Sequence, residues 1–292
     1  VATTTFNPSG GDDVPQLLSG FLTAAAGDVW ILSPGTWSLN SGLSLLNTPL
    51  TIQAWGAWLQ YNGTEVSGTP VLQFGWSSGN PNASTNVQPH RLFGARVTWN
   101  ADDGAKYAKN GMTGVQLQNC YRPQVDGLAV RGFWRGLELY GLGTGFTNGN
   151  ISLDELANNR VALYCHAAKG GYVTQTRIQN GICQTTATQL SGVNVTYLYA
   201  KVDDGSSNVD SITCDHVDFE GHQSGWTTAA NFTYGSNYYL ETCRYESDDS
   251  SSQKVIIASG VLNTVLRGWT NGDFLWTDNN ASGAITGNFY EA

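Results

Sequence analysis

Asp215, Asp218, Glu220, Arg244 and Glu246 are the residues of this 292-residue chain whose types and spacing could do chemistry together. They fall in two stretches, Ser211-Ile-Thr-Cys-Asp-His-Val-Asp-Phe-Glu220-Gly and Asn237-Tyr-Tyr-Leu-Glu-Thr-Cys-Arg-Tyr-Glu246-Ser. Sliding one by 26 residues sets Phe219 on Tyr245, Asp218 on Arg244 and Glu220 on Glu246. An aromatic–Glu pair that returns after such an interval marks a solenoid, in which like side chains stack on successive coils. Alternation along each strand then turns Val217, Phe219, Cys243 and Tyr245 inward. Asp218, Glu220, Arg244 and Glu246 turn outward, and Asp215 stands above Glu241. The two glutamates are one strand spacing apart, ~5 Å. Two stacked carboxylates cannot both ionise freely, so an acid beside a base is expected. Hydrolysis of a glycosidic bond needs that pair, and so short a separation suits the retaining arrangement of one nucleophile and one general acid. A wider pair, Asp215 with Glu246, suits the inverting one, and Asp218 is a further alternate. The same residues also read as ion pairs between coils or subunits, with Arg244 the partner of Asp218.

Other residues could touch a substrate. In Arg131-Gly-Phe-Trp-Arg-Gly-Leu-Glu-Leu-Tyr140, the flat rings of Trp134 and Tyr140 could stack on pyranoses, and Arg131 or Arg135 could hold acidic sugars. Trp134 reads equally well as a core residue at a corner. Trp226, beside the Glu220 rung, is a second sugar platform. Asp154 and Glu155 are neighbours, so a strand would point them to opposite faces. His216 and His222 could serve a lyase as bases or sit in solvent. No phosphate loop, His/Cys metal cluster or nucleophile elbow occurs, so neither a metal nor a cofactor is expected.

These residues need many short strands to position them. With 35 Gly and only 13% charged residues, the composition suits strands joined by polar turns and argues against a helical protein. A net charge of −9 disfavours a nucleic-acid partner. The five cysteines, Cys120, Cys165, Cys183, Cys214 and Cys243, include no C-x-x-C pair and read as small buried hydrophobes. Their odd number fits a reducing compartment. No signal peptide and no apolar run long enough to span a bilayer is present, so no membrane insertion is expected.

Val14, Leu17, Leu18, Phe21, Leu22 and Ala25 share one helical face, with Asp12 or Asp13 to cap it, Pro15 in the first turn and Gly27 to end it. A lone amphipathic helix ahead of a long β region can cover the open end of a β-stack. The expected organisation is one domain: a loose lead-in and capping helix over 1–27, then a β-helix over 28–292. Val115 to Leu137 is 22 residues and Leu137 to Val161 is 24, which gives a coil of about 22–26 residues and three short strands.

The run Gly27-Asp-Val-Trp-Ile-Leu-Ser-Pro-Gly-Thr-Trp resembles the opening strand of the pectin-lyase-like right-handed parallel β-helices. The preceding Gly-Asp-Asp, the capping helix and the Asp-Phe-Glu220 and Arg-Tyr-Glu246 rungs resemble the phage tailspike members. The resemblance implies an all-β, single-stranded right-handed parallel β-helix that forms a homotrimer. It further implies a virion protein made in bacterial cytosol that binds a bacterial surface polysaccharide at the host cell surface. On that footing Glu220 and Glu246 are the catalytic pair of an endo-glycosidase, with Trp134, Arg135, Trp226 and Arg244 as substrate contacts. The superfamily also holds lyases acting on uronate polymers and non-catalytic receptor-binding spikes, so both stay open. Polygalacturonase-like motifs are absent. Asp102-Asp103 and Asp203-Asp204 each precede Gly and read as turn chemistry, so no pectinase mechanism is carried over.

Overall fold

In the computed structural model, which describes residues 1–78, 89–99, 111–185, 194–221, 227–247, 255–271, 276–278 and 289–291, the chain winds as a right-handed parallel β-helix. Strands one coil apart pair in parallel, so inward residues of like type stack. Leu72, Val115, Leu137, Leu163, Leu198 and Ala230 form one such column. None of the six is more than 2% exposed. The expected 22-residue step from Val115 to Leu137 holds. The next does not: Leu137 lies on Leu163, and Val161 lies on Arg135, so that coil is 26 residues long.

Two sheets carry the coils. The second sheet runs in order from Leu43–Leu46 through Pro70–Gly75, Thr113–Gln118, Arg135–Leu142, Val161–Ala168 and Val195–Val202, and on to Trp276–Asp278. The first sheet is bent along its length by residues in the left-handed conformation. Gly94, Gly127, Gly181, His216 and Thr242 mark the bend on five coils, and the intervening strand Asn150–Ala157 passes it without a left-handed residue. A second set, Arg122, Asn148, Gln175, Ser211, Asn237 and Asn263, marks one corner of six successive coils, with φ between 51° and 61°. Asn leads this set because its short amide tolerates positive φ and bonds locally. The Asn263 amide donates to Asn237 Oδ1 at 3.1 Å, one coil below.

The helix is Val14–Thr23, shorter than the sequence suggests. Val14 and Leu17 are buried, and Phe21 meets the edge of Trp30 at 6.4 Å. Leu18 and Leu22 are exposed, so the docked face is narrower than the periodicity implies. Asp13, fully buried, precedes the helix but does not cap it with its side chain. Its carboxylate accepts from the Ser9 and Ser38 amides at 2.7 and 2.8 Å, fastening the helix to the first coil. The lead-in is not loose: Thr3–Phe6 is a strand paired in parallel with Val29–Leu32. A polar, Thr-rich strand is hard to read from composition when only one of its faces is covered.

Candidate functional site

The 26-residue slide is the real register. Asp218 pairs with Arg244, Phe219 with Tyr245, Glu220 with Glu246, and Asp215 with Glu241. Phe219 and Tyr245 stack inside with ring centres 5.6 Å apart, and Tyr197 continues the stack above them at 6.2 Å. This aromatic column fixes the strand that presents the acids. On the outer face Arg244 is the hub. Its guanidinium donates to Glu220 Oε1 at 2.7 Å, pairs with Glu246, and lies 3.6 Å from Asp218. The two glutamates therefore do not face each other bare, because a cation sits between them and offsets their repulsion.

Asp215 sits on the same coil, on the other side of the His216 bend. Arg177 binds it at 2.5 Å and His216 Nδ1 at 2.7 Å. The Arg177 hydrogen bond, helped by His216, holds the Asp215 carboxyl below its usual range. His216 itself is exposed. Trp226 and His222 lie outside the described residues, as do Asp102 and Asp103.

The second cluster folds in on itself. Trp134 is half-buried beneath the Arg160 guanidinium, 3.9 Å from the ring centre. Arg131 and Arg135 part company: Arg131 ends a strand of the first sheet, whereas Arg135 starts one of the second. Arg135 stacks on Tyr164 at 4.8 Å and reaches Glu138 at 3.4 Å.

Glu138 belongs to a network that the sequence reading missed. It is 1% exposed, though it points away from the core column. It accepts from Gln116 at 2.8 Å and Thr113 at 3.2 Å, and His166 Nδ1 lies 3.0 Å away. The other ring nitrogen of His166 is 3.0 Å from Asp203, which also binds Lys201 at 3.1 Å. Tyr140 and Tyr164 sandwich the imidazole, each 4.8 Å from it. Burial alone would push the Glu138 carboxyl up, but the His166 bond, the Arg135 charge and Gln116 outweigh it and hold it below the usual carboxylate range. Glu138 and His166 are buried, and with Gln116 they tie three neighbouring coils of the second sheet together. Asp204, by contrast, is turn chemistry as expected, accepting from the Lys169 amide at 2.6 Å and the Ser206 amide at 3.0 Å.

All five cysteines are free and buried. Burial pushes their thiols up, those of Cys165 and Cys243 to about 12, which leaves no reactive thiolate.

A third feature lies on the outer face of the first sheet. Trp55 and Trp58, 56% and 41% exposed, line a groove of about 530 Å³ with Arg96 and Asp154. Asp154 does not oppose Glu155 across a strand, because the bend interrupts the alternation there. Asp154 opens into the groove, and Glu155 accepts a bond from the outward Gln184. Among the described residues no helix is long and apolar enough to cross a membrane.

No family model matches the chain, and no curated protein does. Among solved structures it is similar to "Geobacillus virus E2 - ORF18", with a TM-score of 0.58 at 12% identity over 99% of this chain. The chain spans 61% of that structure's length. It is also matched to the endo-xylogalacturonan hydrolase from Aspergillus tubingensis, with a TM-score of 0.37 at 13% identity, over 99% of this chain and 95% of that one. At 12% identity the likeness to the phage protein is one of architecture, and what it joins to the paired strands is a fold: this chain is a parallel β-helix of the form that the phage structure also takes.

Proposed function

We propose that the chain binds a bacterial surface polysaccharide on the outer face of its first sheet and cleaves it between Glu220 and Glu246. The setting is a trimeric tailspike of a phage or phage-tail particle acting at the host surface. The likeness of fold to a phage protein supports that setting, and the carboxylates carry the chemistry. The decisive observation is that Glu220 and Glu246 stand on adjacent rungs of one outer face with the half-exposed Arg244 reaching both.

Rungs one strand spacing apart, ~5 Å, suit a retaining mechanism. A sugar entering the face displaces the guanidinium from one carboxyl and leaves it on the other. The carboxylate still held attacks the anomeric carbon. The freed carboxylate, having taken up a proton from solvent, gives it to the departing glycosidic oxygen as general acid. Water, deprotonated by that same residue, then releases the glycosyl ester and restores both groups. Asp218, at the edge of the Arg244 cluster, and Asp215, beyond the bend, are the alternates.

The test is mass spectrometry of products from a panel of purified bacterial surface polysaccharides, with wild type beside Glu220→Gln and Glu246→Gln. Saturated oligosaccharides are expected, with rates lowered by about 10²–10⁴-fold in each variant. Unsaturated ends would move the assignment to a uronate lyase using Arg244 and His216. One observation favours a non-catalytic receptor-binding spike instead: Arg244 engages three carboxylates, as a purely structural ion-pair ladder would. Tight binding without shortening of any polymer would establish that reading.

A further inference from the structure

From the Trp55–Trp58 groove we infer a subsite for a pyranose chain, which lies along the β-helix axis and reaches the acid ladder from there. The second half of this inference rests on the reading of the ladder given above; the first half rests on the groove itself.

The groove is built to present an aromatic plane. Trp55 lies directly on backbone, over Gly94 and Gly127. A Cβ added at Gly94 would meet the Trp55 ring at 2.3 Å, and one at Gly127 would meet it at 2.9 Å. Both glycines also take positive φ, +66° and +65°, at the bend of the sheet. One face of the indole is thus seated and the other turned to solvent. Trp58 is held too, its indole N–H donating to Thr98 Oγ1 at 2.5 Å. Arg96 lies 5.7 Å from the Trp58 ring centre.

Two fixed, exposed tryptophans add nothing to the core. A large apolar surface left in water beside polar groups marks a binding place. Among the described residues neither Arg96 nor Asp154 has an ion-pair partner, so a donor fork and an acceptor face the same groove as the rings. Flat apolar faces edged by a donor and an acceptor match a pyranose, whose C–H face stacks on an indole while its hydroxyls bond sideways. A net charge of −9 points away from stacked nucleobases on a phosphate chain.

Position gives the direction of the polymer. Trp58, Arg96, Ala129, Glu155, Ile182, Asp218 and Arg244 form one unbroken outward column, each paired with the next. Arg96 and Asp218 are four strand spacings apart, about 19 Å. A chain stacked on the tryptophans and running parallel to the axis meets the acids a few sugars later. One running along the strands leaves the face at the bend.

The test combines oxidative footprinting of tryptophans with fluorescence titration, using maltohexaose, hexagalacturonate and the polysaccharide panel as probes. Wild type, Trp55→Ala, Trp55→Phe, Trp58→Ala and Glu220→Gln are compared, with circular dichroism to check folding and light scattering to check assembly. At least one saccharide is expected to protect Trp55 and Trp58 in wild type and in Glu220→Gln. Each Trp→Ala change should weaken its binding at least tenfold, and Trp55→Phe should restore part of it. Longer chains should gain affinity until they span the column. If no probe protects either tryptophan, the inference falls. It falls also if binding survives both Trp→Ala changes while cleavage still depends on Glu220, and the ladder reading then stands alone. If the Trp variants lose binding while Glu220→Gln cuts at the wild-type rate, the subsite stands and the ladder reading fails. If either Trp→Ala change dissociates an oligomer, the groove is a seam between copies and the inference is overturned.

Discussion

Glu138, which is not a member of the candidate catalytic pair, is a buried carboxylate with four side-chain partners. It is buried among Gln116, Thr113, Arg135 and His166, and its carboxyl is held below its usual value. The folded chain therefore binds that proton less readily than the unfolded chain. The stabilisation is full above about pH 4.5, the ordinary value for this group, and is lost as pH falls through the lower folded value. Glu138→Gln is expected to flatten the acid side of the stability profile, read as urea midpoints from pH 7 down to pH 3. His166→Ala, which strips one partner from a buried charge, should cost about 3 kcal/mol at neutral pH. This network was not legible in the sequence because Glu138, His166 and Asp203 come from separate stretches of chain. Glu138 points outward on its strand and is nonetheless buried, beside Arg135 and His166. Arg244 was half legible: its pairing with Asp218 follows from the register, but its closer bonds to both glutamates depend on side-chain reach.

At the scale of elements, strands were legible wherever aliphatic or aromatic residues alternate on the inward side, as in Val217 and Phe219 over Cys243 and Tyr245. Trp58 could have been found the same way, since Ala57, Leu59 and Tyr61 take the inward positions of its strand. Strands that bend were less legible, because a single left-handed residue shifts the alternation without a strong sequence mark. Thr242 is the plainest case, a β-branched residue at φ 55° two positions before Arg244. Strain of this kind collects where a side chain must be aimed. Thr242 is exposed, and Asn adopts the same backbone more readily. Thr242→Asn is expected to stabilise the fold by up to about 1 kcal/mol, measured by chemical denaturation, with the ladder still in register.

The whole molecule is a stack, and a stack has ends. At the first coil the helix Val14–Thr23 and the strand Thr3–Phe6 cover what would otherwise be an open edge and an open core. Leu17, 1% exposed, is the helix's deepest anchor. Leu17→Asp should undock the helix and turn the chain toward soluble aggregates on size-exclusion chromatography with light scattering, while the strand signal in circular dichroism persists. The corners of the stack have a different consequence. From Arg122 to Asn263 the corner residue returns after 26, 27, 36, 26 and 26 positions, and the coils stay in register despite the one long step. The strands after that step keep their pairing, Thr176–Gln179 with Ile212–Asp215 and Ile182–Thr185 with Asp218–Gly221. Length can thus be added to one coil while the register of its neighbours is kept. A scaffold of this kind absorbs insertions and deletions between its rungs, so its coils can diverge in length while the pairing of the rungs persists.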